Sequence, residues 1–380
     1  MRIILAPDSF KGTFPAIEVC RAFETGIRAV LPDAQVKKLP LADGGEGTLD
    51  VLLGSAGGRR CRVQAADPTG RGIEVDYAVL SRGNEALVEM ARVSGLELLS
   101  GNELNPWKTG TYGLGQVVGA ALEEGVEGLA LTLGGSATVD GGVGMARALG
   151  FRFLDSAGEA LELEGGRILG KIARIDTARA DRRLEHVRAR ALCDVTNPLL
   201  GPRGAAQVFG PQKGADPEMV ERLEAGLANL ASRIGQDLGL EIAGLPGSGA
   251  AGGLGAAVAA FLGGGLVSGI DYVLDAVQFN KALEGADLVI TGEGSFDSQS
   301  LGGKVISGVL ERAKAKNVPV AVVCGVYKQG DGAAAESTPL PVKIFSGSDL
   351  AGTGAPPKLV DFDGLAALAG MAAERILNEK

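Results

Sequence analysis

The sequence predicts an α/β protein with two domains, one of which contains a doubly wound parallel sheet. The chain has 380 residues, and domains average about 150 residues. Apolar residues make up 46% of the chain and charged residues 22%, which is typical of soluble globular proteins. Short apolar runs alternate with helical patterns near both ends of the chain, and this order favours β–α–β units.

The first β–α–β unit begins at the N-terminus. A β-branched run at 2–6 predicts a strand that Pro7 and Asp8 end. Apolar residues at helical spacing predict a helix over 15–31, with a proline in its first turn. A second strand is predicted over 36–39, so the opening residues favour a parallel sheet.

The middle of the chain is predicted to hold a second set of strands and helices. Its predicted strands lie near 62–65, 73–80, 85–90, 129–133 and 188–192. Its predicted helices lie near 113–124, 143–149 and 216–238, and a loop that becomes a small-residue helix spans 246–262. The stretch 155–190 is polar and is predicted to be irregular.

A second β–α–β unit lies near the C-terminus. Its predicted elements are a strand over 288–291 that ends at Gly292-Glu293-Gly294, a helix over 303–315 and a strand over 318–324, with a last helix over 361–378. The first and last units are predicted to share one sheet. Residues 1–60 and 285–380 would then form one discontinuous domain, and residues 61–284 an inserted mixed α/β domain.

Composition argues against several classes of function. The net charge of −9, without any run of Lys or Arg, argues against a nucleic-acid partner. The N-terminal apolar run is too short for a membrane span. None of the four cysteines forms a C-x-x-C pair, so free thiols in the cytoplasm are expected. The single histidine, His186, lies in a polar run, which argues against Ser–His–Asp hydrolysis.

Five predicted loops share one pattern, in which small residues and a carboxylate follow an apolar strand. These loops are residues 8–12, 43–47, 134–142, 193–198 and 292–298. Ligands of parallel sheets bind beyond the carboxyl ends of the strands, so all five loops are candidates for a site. Phosphoryl transfer needs backbone N–H groups around phosphates, carboxylates for a divalent cation, a positive side chain and a base.

The same residues also have structural interpretations that the sequence leaves open. Asp8 is typical of a helix cap, Asp43 of a turn and Asp194 of an Asx-turn. Lys213, in a rigid loop between glycines, is typical of a solvated lysine. The G-x-G-x-x-G match at 247–252 is typical of either a phosphate nest or a closely packed helix start. Without a G-x-x-x-x-G-K-[ST] motif, the chain is not a P-loop kinase.

Taken in chain order, six segments resemble the bacterial glycerate kinase family, the type that includes glycerate 2-kinases. They are residues 6–12, 41–47, 134–138, 193–199, 209–215 and 291–294. Two positions depart from the family pattern, since Val139 stands where asparagine is common and Ser295 where arginine is common. A serine does not replace the bidentate contact of an arginine.

This resemblance implies an enzyme that uses ATP and Mg²⁺ to phosphorylate D-glycerate. The usual product is 2-phosphoglycerate, and 3-phosphoglycerate is the other product left open. The resemblance also implies two α/β domains, one of them flavodoxin-like, with the active site in the cleft between them. A monomer or a homodimer is expected. The matching positions make Asp8, Lys11, Asp43, Asp194 and Lys213 the active-site candidates.

Within that expectation, each candidate residue receives a role as a hypothesis. Lys11 and Lys213 neutralise phosphate or the glycerate carboxylate, and Asp194 is the general base or a metal ligand. The Mg²⁺ ligands are assigned to Asp43, Glu293 and Asp297. The substrate and phosphate contacts are assigned to Gly134, Gly135, Ser136, Thr138, Asn197, Gly252, Gly253 and Ser298.

Two other functions stay open from the residues. A nicotinamide-dependent oxidoreductase of a small hydroxy acid would use the same class of sheet. It needs a glycine fingerprint after the first strand, where this chain has Pro7-Asp8-Ser9. A non-catalytic sensor of sugar acids would bind glycerate without turning it over.

Overall fold

The computed structural model describes residues 1–162, 164–296, 305–327, 342–350 and 361–377, which form a mixed α/β structure. The strands are β1 (Arg2–Leu5), β2 (Gln35–Lys38), β3 (Gly58–Ala66), β4 (Gly72–Leu80), β5 (Glu85–Glu89), β6 (Gly128–Thr132), β7 (Arg152–Leu154), β8 (Arg174–Asp176), β9 (Arg188–Leu192), β10 (Gly265–Val267), β11 (Leu288–Phe296), β12 (Val320–Tyr327) and β13 (Val342–Ser346). The α-helices are α1 (Ala16–Val30), α2 (Thr48–Ala56), α3 (Ala91–Ser94), α4 (Tyr112–Glu123), α5 (Val143–Ala148), α6 (Ala205–Phe209), α7 (Pro217–Leu238), α8 (Ala250–Phe261), α9 (Gly269–Ala276), α10 (Phe279–Ala282), α11 (Val305–Ala315), α12 (Gly347–Leu350) and α13 (Phe362–Leu377).

Five parallel strands form the first sheet, in the order β13-β12-β11-β1-β2. Counted along the chain this order is 2-1-3-4-5, which is the order of flavodoxin-like sheets. Ile3 of β1 lies opposite Val36 of β2 on one side and Leu288 of β11 on the other. The prediction that the first and last β–α–β units share one doubly wound sheet is therefore confirmed.

Helices α1 and α13 pack against each other over one face of this sheet. Phe23 and Ile27 on the apolar side of α1 are completely buried. The two helices are in close contact at Gly26, where an added Cβ would lie 1.7 Å from the carbonyl oxygen of Ala366. Only a glycine permits this approach. The strand residues that point the other way, such as Ile4, are also completely buried, as in sheets covered on both faces.

The second sheet has six strands, in the order β10-β9-β6-β5-β4-β3. Strands β3, β4 and β5 pair antiparallel, whereas β5, β6, β9 and β10 are parallel. The antiparallel part confirms the predicted β-rich region after residue 61. Strands β7 and β8 form a separate antiparallel pair, and β8 lies inside the stretch 155–190 that was predicted to be irregular.

The chain divides into two compact units. Unit 1 consists of Met1–Asp43, Asp50–Ser55 and Ile270–Lys380, and unit 2 of Gly44–Leu49 and Ala56–Gly269. The sequence placed the corresponding boundaries after residues 60 and 284. Helix α9 accounts for part of the difference, because Ile270 packs on Gly308 of α11 in unit 1.

One predicted strand end is wrong in a way that matters for the site. The predicted strand covers 288–291 and is followed by a predicted loop from Gly292, but β11 continues to Phe296, which lies opposite Tyr327 of β12. The main chain of β12 approaches so closely that a Cβ on residue 292 would lie 2.1 Å from the carbonyl oxygen of Val323. The glycines here are strand residues that permit close pairing.

In the part of the chain that the structure describes, none of the helices combines the length and the apolar character that a membrane span requires.

Candidate active site

The first candidate site lies beyond the carboxyl ends of β1 and β11 in unit 1. In a sheet of order 2-1-3-4-5, the connections leave these two strands toward opposite sides, and a crevice opens between them. Asp8 follows β1, and its backbone N–H donates to the carbonyl of Gly292 at 2.9 Å. Glu293 is the next residue along β11, and its negative charge acts on Asp8. Two sequence-predicted carboxylates therefore meet at this crevice.

Lys11 stands on a tight turn beside Asp8. The backbone N–H of Phe10 donates to the carbonyl of Phe14 at 2.8 Å, and that of Phe14 donates back at 2.9 Å. The Phe10 side chain is buried, whereas Lys11 is exposed. Helix α1 begins only after Pro15, so the interpretation of Asp8 as its cap is wrong. The turn presents an ammonium group to solvent close to the carboxylates.

Several neighbours act on the protonation of Asp8. Burial, followed by the charge of Asp43, raises its pKa to about 7, and Glu293 adds to this. The backbone N–H of Ser9, which donates to Asp8 Oδ1 at 2.6 Å, and the charge of Lys11 act in the opposite direction. A carboxyl group that titrates near neutral pH is suited to accepting a proton from a substrate hydroxyl.

The structure describes two of the three residues assigned to Mg²⁺. Asp43 and Glu293 lie near Asp8, while Asp297 and Ser298 lie outside the described residues. Within the described part of the chain, no group of three or more His, Cys, Asp or Glu side chains is arranged to hold a metal. Mg²⁺ commonly takes one or two carboxylates and completes its shell with water and phosphate oxygens.

The second candidate site lies in unit 2, in the loop 134–142 that follows β6. Gly134 and Gly135 are exposed, whereas the loop residues from Ser136 to Gly142 are buried. Gly135 has a φ of +73°, which favours glycine. An added Cβ at Gly134 would lie 3.1 Å from the Cα of Gly45. We call the exposed pair Gly134–Gly135 the loop corner, since its main chain is open to a ligand.

Lys213 is completely enclosed behind this loop. It ends the short 3₁₀ turn Pro211–Lys213, and its Nζ donates to Ser136 Oγ and to the carbonyl of Thr138, both at 2.7 Å. Burial lowers the pKa of Lys213 to about 7, and the charge of Asp140 opposes this. The interpretation of Lys213 as a solvated lysine is wrong.

Asp140 fixes the other end of the loop from inside the protein. Its carboxylate accepts hydrogen bonds from the N–H and the hydroxyl of Thr111 at 2.9 and 2.8 Å. It also accepts from the N–H groups of Gly142 and Gly144 at 3.1 and 3.2 Å. Burial raises the pKa of Asp140, and these hydrogen bonds oppose the increase. Asp140 is thus a structural anchor between β6 and α5.

The glycines at 247–253 contact this loop. An added Cβ on Gly252 would lie 2.1 Å from the carbonyl oxygen of Thr138, and one on Gly253 would lie 2.9 Å from the Cα of Gly141. Both glycines have positive φ values, +69° and +94°. Their contacts correspond to the close-packing interpretation of the G-x-G-x-x-G match.

Asp194 lies at the carboxyl end of β9 and is partly buried. Its Oδ1 accepts a hydrogen bond from the N–H of Gly269 at 2.9 Å, so it joins the ends of two neighbouring strands. This hydrogen bond joins two residues that are distant in the chain, whereas an Asx-turn is a local contact. Asn197 donates from Nδ2 to the carbonyl of Arg203 at 2.8 Å.

The sequence analysis did not identify one buried carboxylate at the carboxyl ends of the strands of the second sheet. Glu89, the last residue of β5, is completely buried, accepts from the N–H of Leu49 at 2.7 Å and forms an ion pair with Arg92. It therefore holds the first turn of α2, directly after the loop 43–47. The only signal in the sequence is a glutamate that closes an apolar strand.

Comparisons with known proteins show which family the chain is similar to. A family model described as the glycerate kinase family matches residues 3–343. A glycerate kinase from Halalkalibacterium halodurans is 45% identical over 328 residues, which cover 86% of each chain. A glycerate 2-kinase from Escherichia coli K12 is 42% identical over 325 residues, which cover 86% of this chain and 85% of that one. The crystal structure of a Salmonella typhimurium LT2 protein assigned as glycerate kinase 2 is similar with a TM-score of 0.86 and 41% identity, covering 100% of this chain and 98% of that chain.

Proposed function

This chain belongs to the glycerate kinase family of phosphotransferases, and we propose that it transfers the γ-phosphoryl group of ATP to D-glycerate in the cytoplasm. The proposed product is 2-phosphoglycerate, in keeping with the name of the Escherichia coli relative. Family membership also confirms the resemblance carried by the six sequence segments. An oxidoreductase and a non-catalytic sensor are both at odds with it.

The observation that carries the proposal is the meeting of Asp8, Glu293 and Lys11 at the crevice of the unit 1 sheet. A kinase needs a base for the acceptor hydroxyl and a cation for the phosphate that is transferred. The raised pKa of Asp8 makes its carboxylate a suitable base for the acceptor hydroxyl, so we assign this role to Asp8 rather than to Asp194. We assign the exposed ammonium group of Lys11 to the transferred phosphate as the cation.

The same crevice is our proposed location for Mg²⁺. Asp43 and Glu293 would hold it together with phosphate oxygens of the nucleotide. When bound, the ion neutralises charge on the phosphates, which matters in a chain with a net charge of −9.

The proposal assigns two contacts to unit 2, one from backbone N–H groups and one from a carboxylate. The main chain of the loop corner would receive an oxyanion of a substrate, as N–H groups of glycine-rich turns do in other phosphate sites. Asp194, at the carboxyl end of β9, would accept a hydrogen bond from a hydroxyl of glycerate.

A single assay tests the proposal. The purified chain is incubated with ATP, Mg²⁺ and D-glycerate, ADP release is coupled to a spectroscopic signal, and the product is resolved as 2- or 3-phosphoglycerate. ADP and 2-phosphoglycerate in equal amounts are expected. ADP release that is independent of glycerate would overturn the substrate, and 3-phosphoglycerate would overturn only the position.

A further inference from the structure

Lys213 has an environment that a lysine rarely occupies. Its side chain is completely buried, and long charged side chains are almost never fully buried unless they are paired. An enclosed ammonium is costly without hydrogen-bond partners. Here Nζ has two partners at 2.7 Å, the Ser136 hydroxyl and the Thr138 carbonyl, and both belong to the loop 134–142. The lysine is therefore committed to that loop.

These contacts lie directly behind the loop corner. Ser136, which accepts from the lysine, is only 6% exposed and follows Gly135, which is exposed. Gly135 also accepts through its carbonyl from the N–H of Leu96 at 2.9 Å. The loop corner is thus held on both sides, by Leu96 on one and by the Lys213–Ser136 contact on the other.

A purely space-filling role does not explain a lysine here. An apolar side chain of similar length would fill the same volume without the cost of burying a charge. What the lysine adds is a donor that fixes Ser136 and a positive charge enclosed within the loop that would receive an anion. Asp140, the charged neighbour that acts on it, favours its charged form.

We propose that Lys213 is a positioning residue, which through Ser136 holds the loop corner in the conformation that binds the phosphate groups of ATP. It does not touch the substrate itself, in contrast to the role that the sequence suggested for it. This inference rests on the proposed function, because it takes ATP as the ligand of the loop corner.

The test compares Lys213→Met, Ser136→Ala and the double variant. Each single change is expected to weaken ATP binding and to raise KM for ATP about 10-fold, because it removes a hydrogen bond to a charged group, while kcat changes less than about 3-fold. The double variant is expected to match the weaker-binding single variant, because both changes break one contact. Lys171→Met and Ser156→Ala, at exposed positions in unit 2, are the matched controls.

Different outcomes would overturn the inference. If the two single changes multiply in the double variant, Lys213 acts on ATP independently of Ser136. If Ser136→Ala binds ATP like the wild type, Ser136 does not transmit the effect, and this holds even where Lys213→Met does not fold. Calorimetric titration with ATP keeps the test separate from the proposed function, since ATP binding is measured without glycerate. A wild type that binds ATP but leaves glycerate unchanged would contradict the proposed acceptor alone.

Discussion

The two units place the same kinds of residue beyond the carboxyl ends of parallel strands, but they bury them differently. In unit 1, Lys11 is exposed and Asp8 is partly buried, so both can meet a ligand. In unit 2, Lys213 and Asp140 are almost completely enclosed and bond to the loop itself. A charge that solvent cannot reach acts only through its neighbours. Burial therefore decides whether a lysine or an aspartate in a glycine-rich loop serves chemistry or support.

Asp8→Asn is the substitution with the largest expected effect, and it tests whether the accessible charges of unit 1 serve the chemistry. The amide cannot take the proton of the acceptor hydroxyl, so kcat is expected to fall by about 10²- to 10⁴-fold in the glycerate assay. The same change at Asp194 is expected to cost less, since its amide oxygen still accepts from Gly269. Asp33→Asn, at an exposed position of unit 1, is the control. A kcat within threefold of the wild type would remove the catalytic assignment of Asp8.

The support role in unit 2 is tested by Gly252→Ala. The new Cβ would meet the Thr138 carbonyl at 2.1 Å in a left-handed conformation. Denaturation in urea is expected to show a free energy of unfolding lower by about 2 to 5 kcal/mol. Gly119→Ala is the matched control, because position 119 lies inside α4 with open space around it. That change is expected to stabilise by about 1 kcal/mol, and equal effects at both sites would contradict the packing described.

Lys11→Met tests whether the exposed lysine of unit 1 contributes to activity rather than to stability. Loss of an exposed ammonium that contacts phosphate is expected to lower kcat/KM about 10- to 100-fold, without a change in the free energy of unfolding. Lys37→Met removes another exposed lysine of unit 1 and is expected to leave both quantities unchanged. Initial rates at several ATP concentrations measure the effect. A destabilised Lys11→Met variant with normal kcat/KM would reverse the roles assigned to the two lysines.

The smallest effect is a pH dependence of stability that comes from Lys213. The pKa of Lys213 is about 7 in the folded chain, whereas the ordinary value for a lysine, which applies to the unfolded chain, is 10.5. The unfolded chain thus binds more protons between these values, and the free energy of unfolding increases by about 1 kcal/mol per pH unit as pH rises from 7. Urea denaturation between pH 7 and 9 should show this slope in wild type and in Lys11→Met, but not in Lys213→Met. Parallel curves for all three would mean that Lys213 does not titrate there.

Much of the fold could be predicted, because its elements are long or bounded by clear signals. The helix predicted over 216–238 is observed as Pro217–Leu238, with Asp216 as the N-cap, and the strand at 188–192 is observed at those residues. Elements without such signals were missed. Strand β10 has three residues, and α2 begins at Thr48 after a glycine N-cap, Gly47, that supplies no side-chain hydrogen bond. Short elements show no period, so only their neighbours define them.

The sequence by itself determined the fold class, the family and the loops that carry charged residues, because strand periodicity and ordered motifs are local properties of the chain. Only the tertiary structure decided what each charge can do. The segment around Lys213 suggests a solvated side chain, yet Ser136 and Thr138, more than seventy positions away in the chain, enclose and bond it. Burial and pairing depend on residues distant in sequence, and no local pattern contains them.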